Sequence, residues 1–324
     1  MRVLSIVKSM SLIGLEGYLI NVQVDVSAGI PCWEIVGLPD TSVKESKERV
    51  RTAVKNSGYE LLSRRVVVNL APADIKKEGS FFDLPIAVGT LMCCEEIKEN
   101  QIEDTVFVGE LSLDGTINKI NGVLPMCIEA RKLGMKKIVV PIQNMKEASI
   151  VKDIEILGAH NLQEVVKYIN GEQGLIKAEE NMLTSTQRQT GINLDFSEVK
   201  GQENVKRALE VAASGGHNCL MIGMPGSGKT MMIRRLPTIL PDLNFDEALE
   251  TTKIHSVSGT LEKDVGLITT RPFRAPHHTI SYTSLIGGGR IPKPGEVSLA
   301  HNGVLFLDEL PEFNKKTLEV LRGP

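Results

Sequence analysis

The sequence lacks the features of a membrane-spanning, secreted or disulfide-stapled protein. No apolar stretch in its 324 residues approaches the length of about 18 residues that marks a membrane helix. The N-terminal segment 1–7 does not resemble a secretory signal peptide, since no long apolar run and small-residue cleavage site follow each other. The five cysteines form no Cys-x-x-Cys pair, a pattern typical of free thiols in a reducing compartment. We therefore expect a cytoplasmic protein with no membrane partner.

An excess of charge of one sign is also absent. Charged residues make up 24% of the chain and the formal net charge is only −3, so the molecule as a whole is not a polycation. Any contact with nucleic acid must therefore come from a local basic patch. The length suffices for about two domains, each able to bury its own core without a disulfide or a metal.

A phosphate-binding loop motif lies in the second half of the chain. The segment matches the pattern G-x-x-x-x-G-K-[ST] at every fixed position. Its residues are Gly223, Met224, Pro225, Gly226, Ser227, Gly228, Lys229 and Thr230. The apolar run 219–222 before the motif predicts a strand, and residues 231–236 after it have helical spacing. Strand, loop and helix together favour a phosphate site over a glycine-rich turn with a chance lysine.

The residue types of this motif have direct chemical consequences. The glycines allow backbone N–H groups to surround an anion, and the following helix adds its positive N-terminal end. Lys229 is expected to reach the outer phosphates, and the Thr230 hydroxyl is expected to ligate Mg²⁺. The sequence therefore predicts a site for a nucleoside triphosphate and Mg²⁺.

An acidic pair follows a second apolar run, residues 303–307. Asp308 and Glu309 are expected at the carboxyl edge of a buried strand, where ligands of such folds bind. Asp308 would orient Mg²⁺, and Glu309 would polarise the water that attacks the γ-phosphate. Alone, such a run is more often a strand that ends in a solvated turn. Because Asp308 follows Lys229 by 79 residues, we favour the interpretation as the Walker B strand of an ATPase.

From residue 194 onward the chain resembles an AAA+ ATPase of the magnesium-chelatase-like branch. Besides the two motifs above, the resemblance is carried by segments 271–281 (RPFRAPHHTIS), 287–290 (GGGR) and 292–296 (PKPGE). With the N-terminal half included, the chain resembles the ComM/YifB-type bacterial proteins. This resemblance implies ATP and Mg²⁺ as ligands and a hexameric ring that acts on DNA, in some members by branch migration during transformation. It also implies that Val199, Gly201 and Gln202 line the adenine pocket.

The N-terminal half resembles the Lon-protease catalytic domain, which has the S5-like fold. Segment 77–84 (KEGSFFDL) lies where Lon-type sequences carry the nucleophilic serine, but the serine position is Phe81, with Ser80 one residue earlier. The position of the partner lysine is Leu124. A serine hydroxyl needs a base within hydrogen-bond reach, so proteolysis should fail. Lys119 would substitute only if the geometry were rebuilt.

The predicted fold class is α/β, with an S5-like, Lon protease-like α+β domain followed by a partial AAA+ P-loop domain. Falling apolar density predicts a linker over 171–193, between domains at 1–170 and 194–324. We predict helices at 41–57, 83–94 and 123–133, and strands at 15–26, 32–36, 65–70, 106–108, 137–140 and 252–257. Either Asp40 or Thr41 is expected to be the N-cap of the first helix.

Two further groups of residues have alternative interpretations. His277 and His278 are adjacent, point in different directions and have no third ligand at metal-site spacing, so a structural or substrate-loop role is favoured over a metal. A local basic set consists of Arg271, Arg274, Arg290 and Lys293. This set either faces DNA phosphates or is a solvated loop.

The sequence stops at Pro324, shortly after the acidic pair. Proteins that it resembles continue with a sensor strand, an arginine finger and a helical lid. We therefore expect the complete protein to be an ATPase, and this chain to bind nucleotide weakly and hydrolyse it poorly or not at all. The alternatives are a subunit that couples ATP hydrolysis to metal insertion into a porphyrin, an inert nucleotide-binding fragment, and a Lon-type peptidase, which Phe81 and Leu124 disfavour.

Overall fold

The computed structural model describes residues 4–61, 64–97, 102–178, 194–262, 265–289 and 292–322. The chain divides into two compact units, one of Met1–Thr184 with Gly259–Gly266 and the other of Ser185–Ser258 with Leu267–Pro324. Residues 179–193 of the predicted linker lie outside the described residues, as do Arg290 and Pro324.

The first unit is built of strands and helices that alternate along the chain. Its strands are β1 Leu4–Ile13, β2 Glu16–Ser27, β3 Cys32–Val36, β4 Arg65–Ala71, β5 Thr105–Phe107, β6 Glu110–Leu111, β7 Ile117–Asn118, β8 Lys137–Pro141, β9 Glu155–Ala159 and β10 Ile176–Lys177. Its helices are α1 Thr41–Asn56, α2 Asp83–Cys93, α3 Val123–Lys132, α4 Met145–Ala148 and α5 Leu162–Ile169, and a 3-10 helix covers Ile142–Asn144.

Within the described residues, eight of these strands form one mixed sheet in the order β10-β9-β8-β5-β1-β2-β4-β3. The pairs β1–β2, β2–β4 and β9–β10 are antiparallel. The pairs β3–β4, β1–β5, β5–β8 and β8–β9 are parallel, so parallel pairing is the commoner kind. β6 and β7 form a separate antiparallel pair. The α/β class predicted from the sequence is confirmed.

The alternation of side chains along the central strands builds the core of this unit. Val22, Val24 and Val26 of β2 are buried, and Val24 lies opposite the equally buried Val68 of β4. Successive residues of a strand point to opposite faces, so these valines line one face of the sheet. Every residue of α2 is buried, and this helix lies against β1 and β2. The near-continuous apolar sequence of α2 is explained by this central position.

The first helix begins where a side chain can close its N-terminus. The Asp40 carboxylate accepts a hydrogen bond from the backbone N–H of Val43 at 2.8 Å, so Asp40 and not Thr41 is the N-cap of α1. The helix ends at Asn56, and Gly58 follows with a left-handed φ of 87°. The helix therefore ends one residue before the predicted position 57, with Gly58 as its left-handed glycine stop.

A buried ion pair joins α1 to the start of α2. Nε of Arg49 donates to the fully buried Asp83 carboxylate at 2.7 Å, and Nη2 donates to its other oxygen at 3.0 Å. The backbone N–H of Leu111 donates to the same carboxylate at 3.2 Å. Burial raises the pKa of Asp83 above its ordinary value, and the hydrogen bonds from Arg49 oppose that rise. The hydrogen bonds from Arg49 therefore offset part of the cost of burying the Asp83 carboxylate.

The second unit has shorter elements. Its strands are β11 Phe273–Arg274, β12 Gly287–Gly288, β13 Lys293–Pro294 and β14 Val304–Leu305. Its helices are α6 Glu203–Gly215, α7 Lys229–Ile233, α8 Phe245–Ser258, α9 Tyr282–Ile286, α10 Glu296–Leu299 and α11 Lys315–Glu319, with 3-10 helices at Phe196–Glu198, Leu236–Ile239, Leu310–Glu312 and Val320–Arg322. In the described part of the chain, no helix is long and apolar enough to cross a membrane.

The strand predicted at 252–257 is wrong, because these residues belong to helix α8. Asn244 and Glu247 close the start of this helix reciprocally: each backbone N–H donates to the side chain of the other, at 3.0 and 2.9 Å. The β-branched Thr251 and Thr252 are fully buried in the helix, and the Thr252 hydroxyl donates to the Ala248 carbonyl at 2.6 Å. Capping and burial outweigh the β-propensity that suggested a strand.

The two apolar runs beside the nucleotide motifs form less strand than predicted. Residues 219–222 belong to no strand among the described elements, and Leu220 and Ile222 are 72% and 89% exposed. The run 303–307 contributes only Val304 and Leu305 to a strand, which pairs with β11. A strand forms only where a neighbouring strand supplies its hydrogen bonds. Among the described residues, β14 has β11 as its one neighbouring strand, so little of the run 303–307 is strand.

We predict that Arg49→Met lowers the free energy of unfolding of the first unit by about 3 kcal/mol, because Asp83 is left buried without its partner. The loss should grow as the pH rises through the folded-state pKa of Asp83, since below that pKa the carboxyl is neutral and its burial costs less. Urea unfolding over a series of pH values, followed by the fluorescence of the single tryptophan, Trp33 on β3, measures both effects.

Arg51→Met is the matched control, since Arg51 lies on the same helix and is exposed. An equal loss in both variants, or no dependence of the Arg49→Met loss on pH, would contradict the role assigned to this ion pair.

Candidate nucleotide-binding site

The phosphate-binding motif forms an exposed loop that leads directly into α7. Gly226 and Gly228 have φ values of 76° and 85°, in the left-handed region that glycine enters without a steric cost. Gly228 is the residue before the first turn of α7, and a hydrogen bond from the Ser227 N–H to the Met224 carbonyl at 3.3 Å closes the loop. Glycine is therefore required by the backbone conformation at Gly226 and Gly228.

The Lys229 ammonium lies over this loop. Its Nζ donates to the carbonyls of Gly223 at 2.8 Å and Met224 at 2.9 Å, and it lies 3.5 Å from the Ser227 hydroxyl. All three partners are neutral oxygens, so the described contacts leave its positive charge uncompensated. An anion bound in the loop would contact both the Lys229 ammonium and the backbone turn that the phosphate-binding pattern predicts.

The loop and the acidic pair meet through one hydrogen bond. The Thr230 hydroxyl donates to Oδ2 of Asp308 at 2.9 Å, although 78 residues separate the two in sequence. The other oxygen, Oδ1, accepts the backbone N–H of Glu309 at 3.0 Å. A hydroxyl and a carboxylate side by side are the hard oxygen ligands that Mg²⁺ prefers, so these residues fit the ion.

The strand register explains why Asp308 reaches this position. β14 is parallel to β11, with Val304 opposite Phe273, and the Phe306 N–H donates to the Arg274 carbonyl at 2.8 Å. The chain thus leaves the carboxyl end of the strand just before Asp308. This is the edge at which ligands of α/β folds bind.

Glu309 takes a different direction from its neighbour. Its φ is 54°, an uncommon left-handed conformation for a residue other than glycine, and its side chain is 67% exposed. Oε2 of Glu309 lies 3.5 Å from Nδ1 of His278. The structural or substrate-loop role predicted for His277 and His278 does not include this contact. The spacing of His278 and Glu309 in the sequence gives no indication that the two side chains meet.

The three residues assigned to the adenine pocket precede α6. Val199 is buried in a cluster that includes Met232 and Ile233, from α7 and its end. Gly201 and Gln202 have left-handed φ values of 71° and 59°, and Gln202 immediately precedes α6. The segment therefore packs beside the helix that follows the phosphate loop, and its contact with adenine stays a prediction.

Two members of the basic set, Arg271 and Arg274, form ion pairs within this unit. Arg271 donates to the carbonyls of Pro241 and Asn302, both at 2.8 Å, and to the Glu247 carboxylate at 3.0 Å. Arg274 binds the Glu296 carboxylate through two hydrogen bonds, at 2.6 and 2.8 Å.

The DNA-facing interpretation of Arg271 and Arg274 stays a prediction, although carboxylates of Glu247 and Glu296 already bind donors of both side chains. Lys293 is exposed on the β12–β13 hairpin, and Arg290 lies outside the described residues.

The Lon-like positions of the first unit form no serine–lysine pair among the described residues. The Ser80 hydroxyl donates to the Glu110 carboxylate, and Leu124 is fully buried as a core residue. Nζ of Lys119 donates to the Leu261 carbonyl at 3.1 Å. Ser80 thus contacts a carboxylate, and neither Leu124 nor Lys119 provides the amine that a serine nucleophile of this type needs.

Two family models match the chain. One, described as magnesium chelatase, subunit ChlI, covers residues 195–324, and the other, described as subunit ChlI of Mg-chelatase, covers residues 22–144. The chain is 45% identical to the uncharacterized protein YifB of Escherichia coli over 321 residues, which are 99% of this chain and 62% of that protein. It is 44% identical to the competence protein ComM of Haemophilus influenzae over 324 residues, which are 99% of this chain and 63% of that protein.

A partial similarity connects the chain to a protease. Over 174 residues the chain is 29% identical to Lon protease 2 of Bacillus subtilis, covering 48% of this chain and 30% of that protein. The predicted fold class, a Lon protease-like domain followed by part of an AAA+ domain, is thereby confirmed. The chain spans slightly less than two thirds of the length of YifB and ComM.

We predict that the protein leaves unfolded casein intact, with or without ATP, because no amine of the described residues pairs with the Ser80 hydroxyl, which donates to Glu110 instead. The measurement is gel electrophoresis over several hours, with Ser80→Ala and Glu110→Gln as matched variants. Cleavage that disappears in Ser80→Ala would contradict the assignment, whereas cleavage that persists in both variants would identify a contaminant.

Proposed function

Because the chain belongs to the magnesium-chelatase-like family, in its ComM/YifB-type branch, we propose that it binds ATP and Mg²⁺ through the phosphate loop and that the whole protein hydrolyses ATP. The observation that carries this proposal is the hydrogen bond from Thr230 to Asp308, since it joins the two halves of a nucleotide site that are far apart in sequence. The positive charge of Lys229, which contacts only neutral oxygens among the described residues, supports it further.

Each residue of the site has a role that follows from its position. The backbone N–H groups of the loop and the Lys229 ammonium bind the phosphates, with Lys229 exchanging its neutral oxygens for the anion. Thr230 and Asp308 hold Mg²⁺. When bound, this ion offsets the charge that develops on the transferred phosphoryl group. Glu309 orients the attacking water and accepts its proton. Val199, Gly201 and Gln202 contact the adenine.

The substrate and the oligomeric assembly are proposed here for the whole protein. We propose a ring, most simply a hexamer, that couples ATP hydrolysis to work on DNA in the cytoplasm. Two observations support DNA: the similarity to a competence protein over nearly the full chain, and the exposed Lys293 on a hairpin of the nucleotide-binding unit. We assign hydrolysis to the whole protein, because its relatives are longer than the region matched here.

Metal insertion into a porphyrin is the second candidate, and the family models named after a magnesium-chelatase subunit favour it. ATP turnover of the whole protein in the presence of branched DNA or of a porphyrin with Mg²⁺ separates the two. Stimulation by DNA alone supports the DNA motor, and stimulation by the porphyrin alone supports the chelatase-like role.

Lys229→Ala is expected to weaken ATP binding roughly 10- to 100-fold, since a hydrogen bond to a charged group contributes about 1.5–3 kcal/mol. Glu309→Gln should leave ATP affinity unchanged and lower turnover of the whole protein by about 100-fold or more, because only the water-activating group is lost. Titration with a fluorescent ATP analogue and a phosphate-release assay measure the two effects. Lys316→Ala is the control for Lys229, since Lys316 is exposed and lies outside the motif. Equal ATP affinity in wild type and Lys229→Ala would overturn the proposal.

Lys293→Gln should weaken binding of duplex DNA by the whole protein and reduce the slope of log affinity against log salt concentration by about 1, because one phosphate contact is lost. Fluorescence anisotropy at several salt concentrations measures the slope. Lys315→Gln is the matched control, since Lys315 is 91% exposed and lies outside the hairpin. An unchanged slope in Lys293→Gln would remove the hairpin from the DNA-binding surface.

A further inference from the structure

We propose that a cavity in the first unit binds a small organic anion that carries a single ring. This inference goes beyond the proposed function, because the residues that line the cavity belong to the first unit and those of the candidate nucleotide site belong to the second. The cavity has a volume of about 190 Å³. Since a cavity of roughly 150 Å³ already admits benzene, this one has room for one ring with a carboxylate or phosphate group.

One wall of the cavity is a row of side chains across three strands. Trp33 of β3 lies opposite Val66 of β4, and Val66 lies opposite Val26 of β2. Side chains in register on neighbouring strands share one face of the sheet, so these three residues lie side by side along the cavity. Val26 and Val66 are buried. An indole and two valines favour contact with a flat apolar group over contact with a hydrated ion.

The other lining residues make the cavity positively charged. Arg51 of α1 and Arg64, which precedes β4, both line it, together with Thr90 of α2 and Cys94. The Thr90 hydroxyl already donates to the Ile86 carbonyl at 2.8 Å. The described residues that line the cavity include no aspartate or glutamate. Two cations without a carboxylate favour a negatively charged ligand.

Two hydrogen-bond donors at the cavity lack an acceptor. No hydrogen bond or ion pair joins the Arg51 guanidinium to another of the described residues. Nε1 of Trp33 is buried and has no hydrogen-bond partner in the described part of the chain. A buried indole N–H normally has a partner, and a buried donor without one destabilises the fold. Two such donors beside one cavity are the arrangement that a carboxylate or a phosphate complements.

A metal ion fits the cavity less well, although two of the lining residues are cysteines. Cys32 and Cys94 have no third ligand beside them, since the described residues contain no group of three His, Cys, Asp or Glu side chains that could hold a metal. Arg51 and Arg64 would also repel a cation. An anion is therefore the ligand that both the charge and the free donors favour.

The first experiment compares four probes through the fluorescence of Trp33, the single tryptophan of the chain, which lines the cavity. Phenyl phosphate and benzoate carry both a ring and an anionic group, whereas inorganic phosphate lacks the ring and benzyl alcohol lacks the charge. We expect saturable binding of one ring anion or both. The other two probes should bind at least roughly tenfold more weakly, since each lacks either the buried ring or the charge-assisted hydrogen bond.

The second experiment removes the cation. Arg51→Gln should weaken binding of the ring anion roughly tenfold or more, because a hydrogen bond to a charged group is lost. Lys55→Gln is the matched control, since Lys55 is exposed one turn later on the same helix and does not line the cavity. Far-UV circular dichroism of both variants checks that the fold is retained.

Alkylation of the cysteines locates the bound probe independently of fluorescence. Cys32 and Cys219 are both exposed, and of these two only Cys32 lines the cavity. A bound ring anion should slow the reaction of Cys32 with iodoacetamide and leave that of Cys219 unchanged, as measured by mass spectrometry of the peptides.

Four results would contradict the inference. They are the absence of saturable binding of either ring anion, equal affinity in wild type and Arg51→Gln, binding of benzyl alcohol or inorganic phosphate as tight as that of the ring anions, and no selective protection of Cys32. None of these results bears on the nucleotide site, which Lys229→Ala tests separately. That variant should bind the ring anion with wild-type affinity.

Discussion

The candidate nucleotide site depends on one contact, the hydrogen bond from the Thr230 hydroxyl to the Asp308 carboxylate at 2.9 Å. It connects the end of the phosphate loop to the end of a strand that the chain reaches 78 residues later. With these ends apart, the loop would be a glycine-rich turn and the acidic pair a polar strand end, each with a common structural explanation. Brought together, they place a cation, a hydroxyl and a carboxylate around one space, which is the combination that a magnesium–triphosphate complex requires.

The short parallel pair β11–β14 determines which way the acidic residues face. Because the register of this pair is fixed, Asp308 turns toward the phosphate loop and Glu309 toward the segment that follows β11. The neighbouring arginines serve this framework: Arg271 binds the Asn302 carbonyl just before β14, and Arg274 holds the start of α10 through Glu296. Residues that look like a nucleic-acid surface in the sequence are thus partly used to hold the strands of the nucleotide site in register.

The sequence predicts those features that depend on local chemistry. Gly226 and Gly228 of the loop are required by left-handed φ values, and an aspartate caps the start of α1; a short sequence pattern encodes both features. Features that depend on distant neighbours are missed. The strand predicted at 252–257 is part of helix α8, although the pair Asn244 and Glu247 is a capping signal visible in the sequence. The run 219–222 and the contact between His278 and Glu309 depend on which strands lie side by side, and no single segment contains that information.

The most direct measurement of the central claim is a double-mutant cycle of Thr230→Ala and Asp308→Asn, with ATP affinity determined by calorimetry in Mg²⁺ and again in EDTA. If the two residues share one magnesium ion, each single change removes most of its benefit, so their effects are strongly non-additive in Mg²⁺ and close to zero in EDTA. Additive effects of the same size in both conditions would show that the two side chains act separately, and would contradict the account.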